Sequence, residues 1–229
     1  MVSFSLPLAT VAESVARALQ EEILSGRLAP GLSLRQRAVA VRFGVSEGVV
    51  REAFRRLEAQ GLVESQRRRG VRVARLSKEE LRDLYDVRIF VEPLLARESA
   101  GRAPEEDLAT ARGLCDAMER ESDAVKWLGL NRDFHMVLYR ASGRTFLLRL
   151  QDQLRILSDR YLRLCLEVLG RFEASNREHW EILAAYEARD PEAAAQRVRR
   201  HLEEVRGSVS AALGEQVASP LGGLGGERS

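Results

Sequence analysis

The first third of the chain breaks into short apolar runs of helical period separated by glycine stops. Val15, Leu19 and Ile23 share one face of a helix that Thr10-Val-Ala-Glu13 opens with capping-box spacing and Gly26 ends. After the turn Ala29-Pro30-Gly31, the capping-box pattern repeats at Ser33-Leu-Arg-Gln36. It predicts a short helix with Ala38, Val41 and Phe43 on its apolar side, stopped by Gly44. Ser46 then caps a third helix, whose Val49, Val50, Ala53, Phe54 and Leu57 form an inward stripe ending near Gly61. Beyond it the period changes to two. Residues 62–66 and 71–76 alternate as strands around the basic tip Arg67-Arg68-Arg69-Gly70, which predicts a β-hairpin.

From Ser77-Lys-Glu-Glu80, which caps a helix reaching about Gly101, the pattern is helical to about Leu213. Breaks at Ala103-Pro104, Ser122, Gly143, Gly170 and Asp190-Pro191 divide this stretch into about six helices. The expected fold class is mainly α. A winged helix-turn-helix of three helices plus a β-hairpin wing takes residues 1–76, and an all-α bundle takes 77–213. Residues 214–229, Gly-rich from Pro220, are expected to be a disordered tail.

No apolar run approaches the roughly 20 residues that span a bilayer, and the N-terminus lacks a basic start followed by an apolar stretch. A cytoplasmic protein without a membrane partner is expected. Cys115 and Cys165 lie far apart in helix-like segments, which reads as buried or half-buried thiols rather than a metal knuckle or a disulfide. The net charge of +2 conceals an asymmetry: residues 1–75 hold 13 arginines against 7 carboxylates, a net of +6, leaving −4 for the rest. The basic excess therefore lies where the hairpin and short helices lie, and it can meet phosphates.

In a helix-turn-helix the second helix enters the major groove, N-terminal residues nearest the base edges, while flanking cations hold the backbone. Here that helix begins at Ser46. The segment from Leu32 to Gly70, with its core V-S-E-G-V-V-R-E-A-F-R-R-L-E-A-Q-G-L-V, resembles the GntR family of bacterial regulators. The resemblance implies that Arg37 and Arg51 contact operator bases or phosphates, that Gly70 is the wing-tip glycine, and that Arg67, Arg68 and Arg69 line the DNA backbone. Glu47 stands where the family commonly has Arg, and Gly48 and Val49 replace Thr and Pro. A carboxylate there either accepts from cytosine N4 or is repelled by a nearby phosphate, which leaves base specificity open. A double-stranded operator of two-fold symmetry calls for two reading heads, hence a homodimer.

The three histidines all fall in the helical stretch. If Asp190-Pro191 turns an antiparallel helix pair, His179 lies 11 residues before it and His201 10 after it. At about 1.5 Å per residue both stand roughly 15–16 Å from the turn, so the imidazoles are level. Asn131 is one helical turn before His135, which puts both on one face. Three nitrogens and one oxygen can then surround a divalent ion with open positions left over. Taken singly, a histidine in a helix is more often a polar surface or core residue than a ligand.

Residues 77–213 resemble the FCD effector domain of the FadR subfamily through L-Y-D-V-R-I-F-V-E-P-L-L-A-R-E-S-A, F-H-M-V-L-Y-R-A-S-G and E-H-W-E-I-L. Metal-binding members have Asp-x-x-x-His and two later histidines. The resemblance thus implies that His135, His179 and His201 hold a metal, zinc or nickel, with Asn131 in the usual aspartate position. Loss of that anionic ligand is expected to weaken the site. It also implies that Arg88 faces an effector pocket and grips the carboxylate of a small organic acid; the competing reading of Arg88 is a surface ion pair with Asp83 or Glu92. The function expected is a DNA-binding repressor controlled by such an acid. Two rivals stay open: a regulator whose signal is the metal itself, and a helical metalloenzyme, which the missing H-E-x-x-H and the basic winged module disfavour.

Overall fold

Leu8–Leu24 forms α1, which buries Ala12, Val15, Ala16, Leu19 and Ile23 along one face. The computed structural model describes residues 8–66 and 70–218; Arg67, Arg68, Arg69 and the tail from residue 219 lie outside the described residues. The helix is already formed at Thr10, whose carbonyl accepts a hydrogen bond from Ser14 Oγ at 3.0 Å, so Thr10 is not its cap. Two residues of strand, Ser33–Leu34 (β1), precede α2 (Gln36–Phe43) and α3 (Glu47–Ala59). Ser33 is spent on that strand, its hydroxyl accepting from the Gln66 side-chain amide at 3.0 Å while the Gln66 oxygen accepts from Arg72 at 2.7 Å. The N-cap of α2 is instead Arg35, with no side-chain cap bond. Val63–Gln66 (β2) and Gly70–Val73 (β3) complete an antiparallel sheet of order β1-β3-β2, in which Val71 stands opposite both Leu34 and Ser65. The expected hairpin therefore gains a third strand.

One apolar cluster lies between these helices and the sheet. Val50, Ala53, Leu57 and Leu62 are wholly buried in it, and a buried Leu contributes about 1.5–3 kcal/mol. The inward face of α2 is Val39 and Ala40. Ala38 is exposed and Val41 is 77% exposed, which corrects the expected apolar side. Ile156 and Leu157, from the middle of a later helix, pack on the same cluster.

The remaining elements are α4 (Lys78–Ala100), α5 (Glu105–Arg120), α6 (Ala124–Tyr139), a 3-10 turn at Arg140–Ser142, α7 (Thr145–Leu169), α8 (Phe172–Glu187) and α9 (Pro191–Ala218). Ser77 caps α4 by accepting from the Glu80 amide at 3.0 Å. The helix α9 continues through Ala218, so residues 214–218 are helical rather than part of a disordered tail. Contacts group the chain into two units. One comprises the residues up to Leu76 with Asp152–Arg163, and the other comprises Ser77–Gln151 with the residues from Leu164 onward. In the second unit α4 packs along α9, and α5 packs against α6 and α8. No described helix is long and apolar enough to cross a membrane. Cys115 and Cys165 are buried and free. Burial, with Asp116, Glu119 and Glu187 nearby, pushes the Cys115 thiol up to about 12, and burial pushes Cys165 up to about 11 against the pull of Arg171.

Candidate functional site

In the N-terminal unit, α2 and α3 are joined by a turn that Gly44 makes possible by taking a left-handed conformation at φ 64°. Ser46 caps α3 as expected, its Oγ accepting from the Val49 amide at 3.4 Å. The buried stripe of α3 fixes its rotation, which leaves Glu47, Gly48, Arg51 and Arg55 on the exposed side. Arg37 on α2 is exposed as well. Neither Arg37 nor Arg51 hydrogen-bonds or ion-pairs with any described residue, whereas Arg42 is tied to Glu22 and Arg56 lies 3.8 Å from Glu52. The two arginines singled out by sequence are thus exposed and uncommitted, as a phosphate contact requires. Gly70 begins β3 at φ 95°, and a Cβ there would land on the carbonyl oxygen of Leu34, so only glycine fits. Arg35, the exposed N-cap of α2, was not singled out by sequence; its place just before Arg37 was the available signal.

In the helical unit, α8 and α9 turn back at Arg189, which takes φ 53°, and Asp190 caps α9 by accepting from the Ala193 amide at 3.0 Å. The hairpin brings His179 and His201 level, with ring centroids 4.9 Å apart. His135 on α6 completes the group, its ring 5.2 Å from His179 and 5.4 Å from His201. All three are buried, and one ligand atom from each lies within 4.8 Å of the others. Three nitrogens bound at about 2.1 Å to one ion stand at most about 3.6 Å from one another, so the rings have to draw together by up to about 1 Å to close on it. Asn131 is 2% exposed, and its Oδ1 has no hydrogen-bond partner among the described residues. A buried acceptor without a partner costs about 1–3 kcal/mol, which a coordinated cation would offset. Trp127 and Phe134 pack on His179 at 5.7 and 4.9 Å, and Trp127 Nε1 is held by Asn176 Oδ1 at 3.0 Å. Three imidazoles, one amide oxygen and an apolar wall are a donor set that suits zinc or nickel.

Arg88 is neither on the surface nor paired with Asp83. It is 3% exposed, donates from Nε to Glu92 Oε1 at 2.7 Å, and lies over the Tyr85 ring. Burial is the largest single influence and works against its charge, but the Glu92 carboxylate together with Tyr85 and Tyr139 outweighs it and holds its pKa above the ordinary value. Tyr139 donates to the other oxygen of Glu92 at 3.0 Å, and Tyr139 OH lies 3.2 Å from His135 Nδ1. With its proton on Glu92, the phenol oxygen accepts from His135 Nδ1–H, leaving Nε2 as the lone-pair donor. Glu92 entered the sequence reading only as a surface partner of Arg88, whereas the pair is buried, and Tyr139 was missed. The i+4 spacing of Arg88 to Glu92 and of His135 to Tyr139 was the signal. Glu178, whose Oε2 lies 2.6 Å from His201 Nδ1, was missed too.

Residues 11–73 match the family described as "Bacterial regulatory proteins, gntR family", and residues 83–204 match the FCD domain. The HTH-type transcriptional repressor GlaR of Escherichia coli K12 is 31% identical over 199 residues, 81% of this chain and 90% of that protein. The HTH-type transcriptional repressor RspR of the same strain is 27% identical over 209 residues, 89% of this chain and 90% of that one. Among solved structures, a GntR-family transcriptional regulator from Pseudomonas syringae pv. tomato aligns over 95% of this chain and 92% of its own, with TM-score 0.59 and 32% identity.

Proposed function

Because the chain belongs to the GntR family of bacterial regulatory proteins, carries an FCD domain and so is a DNA-binding transcriptional regulator rather than an enzyme, we propose that it is a repressor whose hold on a two-fold operator is set by a small organic acid bound at a divalent metal in its helical unit. The observation that carries the metal is the trio of buried imidazoles, one ligand atom of each within 4.8 Å of the others, together with Asn131 one helical turn before His135 on α6, whose buried Oδ1 has no hydrogen-bond partner among the described residues. His135, His179 and His201 would hold the ion, with Asn131 as a weaker or water-mediated fourth group. When bound, the metal supplies a Lewis acid able to take a carboxylate oxygen. Arg88, linked to His135 through Glu92 and Tyr139, is the cation proposed to face that carboxylate. The relatives named as repressors support the sign of regulation.

The test is operator binding by fluorescence anisotropy, titrated with a panel of carboxylates in the presence and absence of zinc. The wild-type protein is expected to respond to one carboxylate class only when zinc is present. His179→Ala is expected to lose zinc by at least about tenfold in affinity and to lose the response, while still binding operator. Full zinc content and full response in His179→Ala would make the three histidines structural. A response to zinc alone would make the metal itself the signal.

Operator contacts are proposed for Arg37, Ser46, Glu47, Gly48, Arg51 and Gly70, with Arg51 on the reading helix the strongest. Arg51→Ala, and to a lesser degree Arg37→Ala, should weaken operator binding and flatten its salt dependence by about one unit of slope per lost phosphate contact. Unchanged affinity and slope in both variants would reject this docking. Two copies are needed to read a two-fold site. The α4 face carrying Phe90, 76% exposed, and Val87, 42% exposed, is the apolar surface proposed to meet the second copy.

A further inference from the structure

Every candidate ligand at the metal centre is neutral: three imidazoles and the amide of Asn131. A divalent ion held by them alone keeps both its charges in a buried site, which is costly without a nearby anion. A carboxylate in direct contact with one of these rings is Glu178. It precedes His179 on α8 and reaches across to α9, where its Oε2 stands 2.6 Å from His201 Nδ1. Its other oxygen accepts from Arg171 Nη2, and Arg171 Nη1 donates to Ser208 Oγ at 2.7 Å, so the carboxylate is gripped from the far side. The side chains of Glu178, Arg171 and His201 are 16%, 14% and 7% exposed, which limits the water available to screen their contacts.

We propose that Glu178 is the positioning residue of this centre. It fixes His201 as the Nδ1–H tautomer with Nε2 turned inward, and it supplies through the ring the negative charge that Asn131 does not. The inference rests on the metal reading above and deepens it. A carboxylate on the remote nitrogen makes an imidazole a better donor and locks its orientation, and losing such a partner typically lowers metal affinity about 10–100-fold. Arg171 acts one step further out by holding the Glu178 carboxylate in place.

The experiment uses the full chain in five forms: wild type, Glu178→Gln, Glu178→Ala, and each Glu178 variant combined with Asn131→Asp. Zinc alone is the probe, its affinity read by competition with a chelator, and the His201 tautomer is read by long-range proton–nitrogen NMR on metal-free protein. Zinc affinity is expected to fall about 10–100-fold in Glu178→Ala and less in Glu178→Gln, which keeps an acceptor but not the charge. The Nδ1–H form of His201 is expected in wild type and to be lost in Glu178→Ala. Asn131→Asp should recover much of the lost affinity, because it restores an anion at the ion itself. A merely structural role would lower the melting temperature of the metal-free variants and leave zinc affinity and the tautomer unmoved, and that result would overturn the proposal. Should Glu178→Ala fail to fold, the isosteric Gln variant carries the test. Absence of zinc binding in the wild type would overturn the metal reading and this inference together, and is distinguishable because it appears before any substitution.

Discussion

Gly70→Ala is expected to weaken operator binding by about tenfold or more while leaving the zinc affinity of the helical unit unchanged. The reason is geometric. A left-handed conformation costs a residue with a Cβ about 1–3 kcal/mol. At Gly70 the new Cβ would also overlap the Leu34 carbonyl oxygen and come within 3.2 Å of its carbon and 3.3 Å of Arg35 Cα. Those are backbone atoms with no rotamer by which to withdraw. The β1–β3 ladder, in which Leu34 pairs with Val71, must open, and with it the strand that leads into α2. Hydrogen exchange of the Val71 and Val73 amides reports the opening, and anisotropy on operator DNA reports the loss. Native protection together with native affinity in Gly70→Ala would show that the wing tolerates a side chain there and that the contact with Leu34 is not a constraint.

Glu92→Ala is expected to destabilise the helical unit by about 3–5 kcal/mol, because it removes the carboxylate from a guanidinium that is almost fully buried. In a chain of this size that corresponds to a fall of about 10 °C in the melting temperature of the unit. Glu92 also receives the Tyr139 hydroxyl, so Tyr139 would turn its proton elsewhere and release its hold on His135 Nδ1. The double variant Arg88→Met with Glu92→Leu separates charge from packing. An apolar pair of similar bulk often replaces a buried ion pair at little cost, so the double variant should melt above Glu92→Ala alone. Calorimetry of the three proteins decides it, and a Glu92→Ala protein that melts like wild type would mean that water reaches Arg88 in solution.

Local signals were legible in the sequence where one residue and its own helix settle the matter. Ser46 and Ser77 cap α3 and α4, and the stripe from Val49 to Leu57 is buried throughout, since side-chain period and capping act within a turn or two. The same pattern failed at Ser33, because a sheet competed for that residue: pairing with Arg72 on β3 draws it into a strand. Val41 on α2 misled for the opposite reason. On a helix of only 8 residues one apolar side chain can be left in solvent while Val39 and Ala40 make the contact. In the histidine trio the level placement of His179 and His201 followed from counting residues about the Asp190-Pro191 turn. The burial of Arg88 did not, since i+4 spacing to Glu92 is the same on a surface helix as in a core. Glu178 and Arg171 were out of reach altogether, as their partners His201 and Ser208 lie on another helix.

The two cysteines, one on α5 and one on α7, have a chemical consequence. A thiol whose ionisation is pushed up to about 12 or about 11 is almost entirely protonated at neutral pH. The thiolate is the form that peroxides, disulfides and alkylating agents attack. Cys115 and Cys165 are therefore shielded from oxidants as long as the helical unit stays folded, and a cysteine introduced at an exposed position such as Val41 would be the preferred point of attachment for a thiol-reactive label on the native protein.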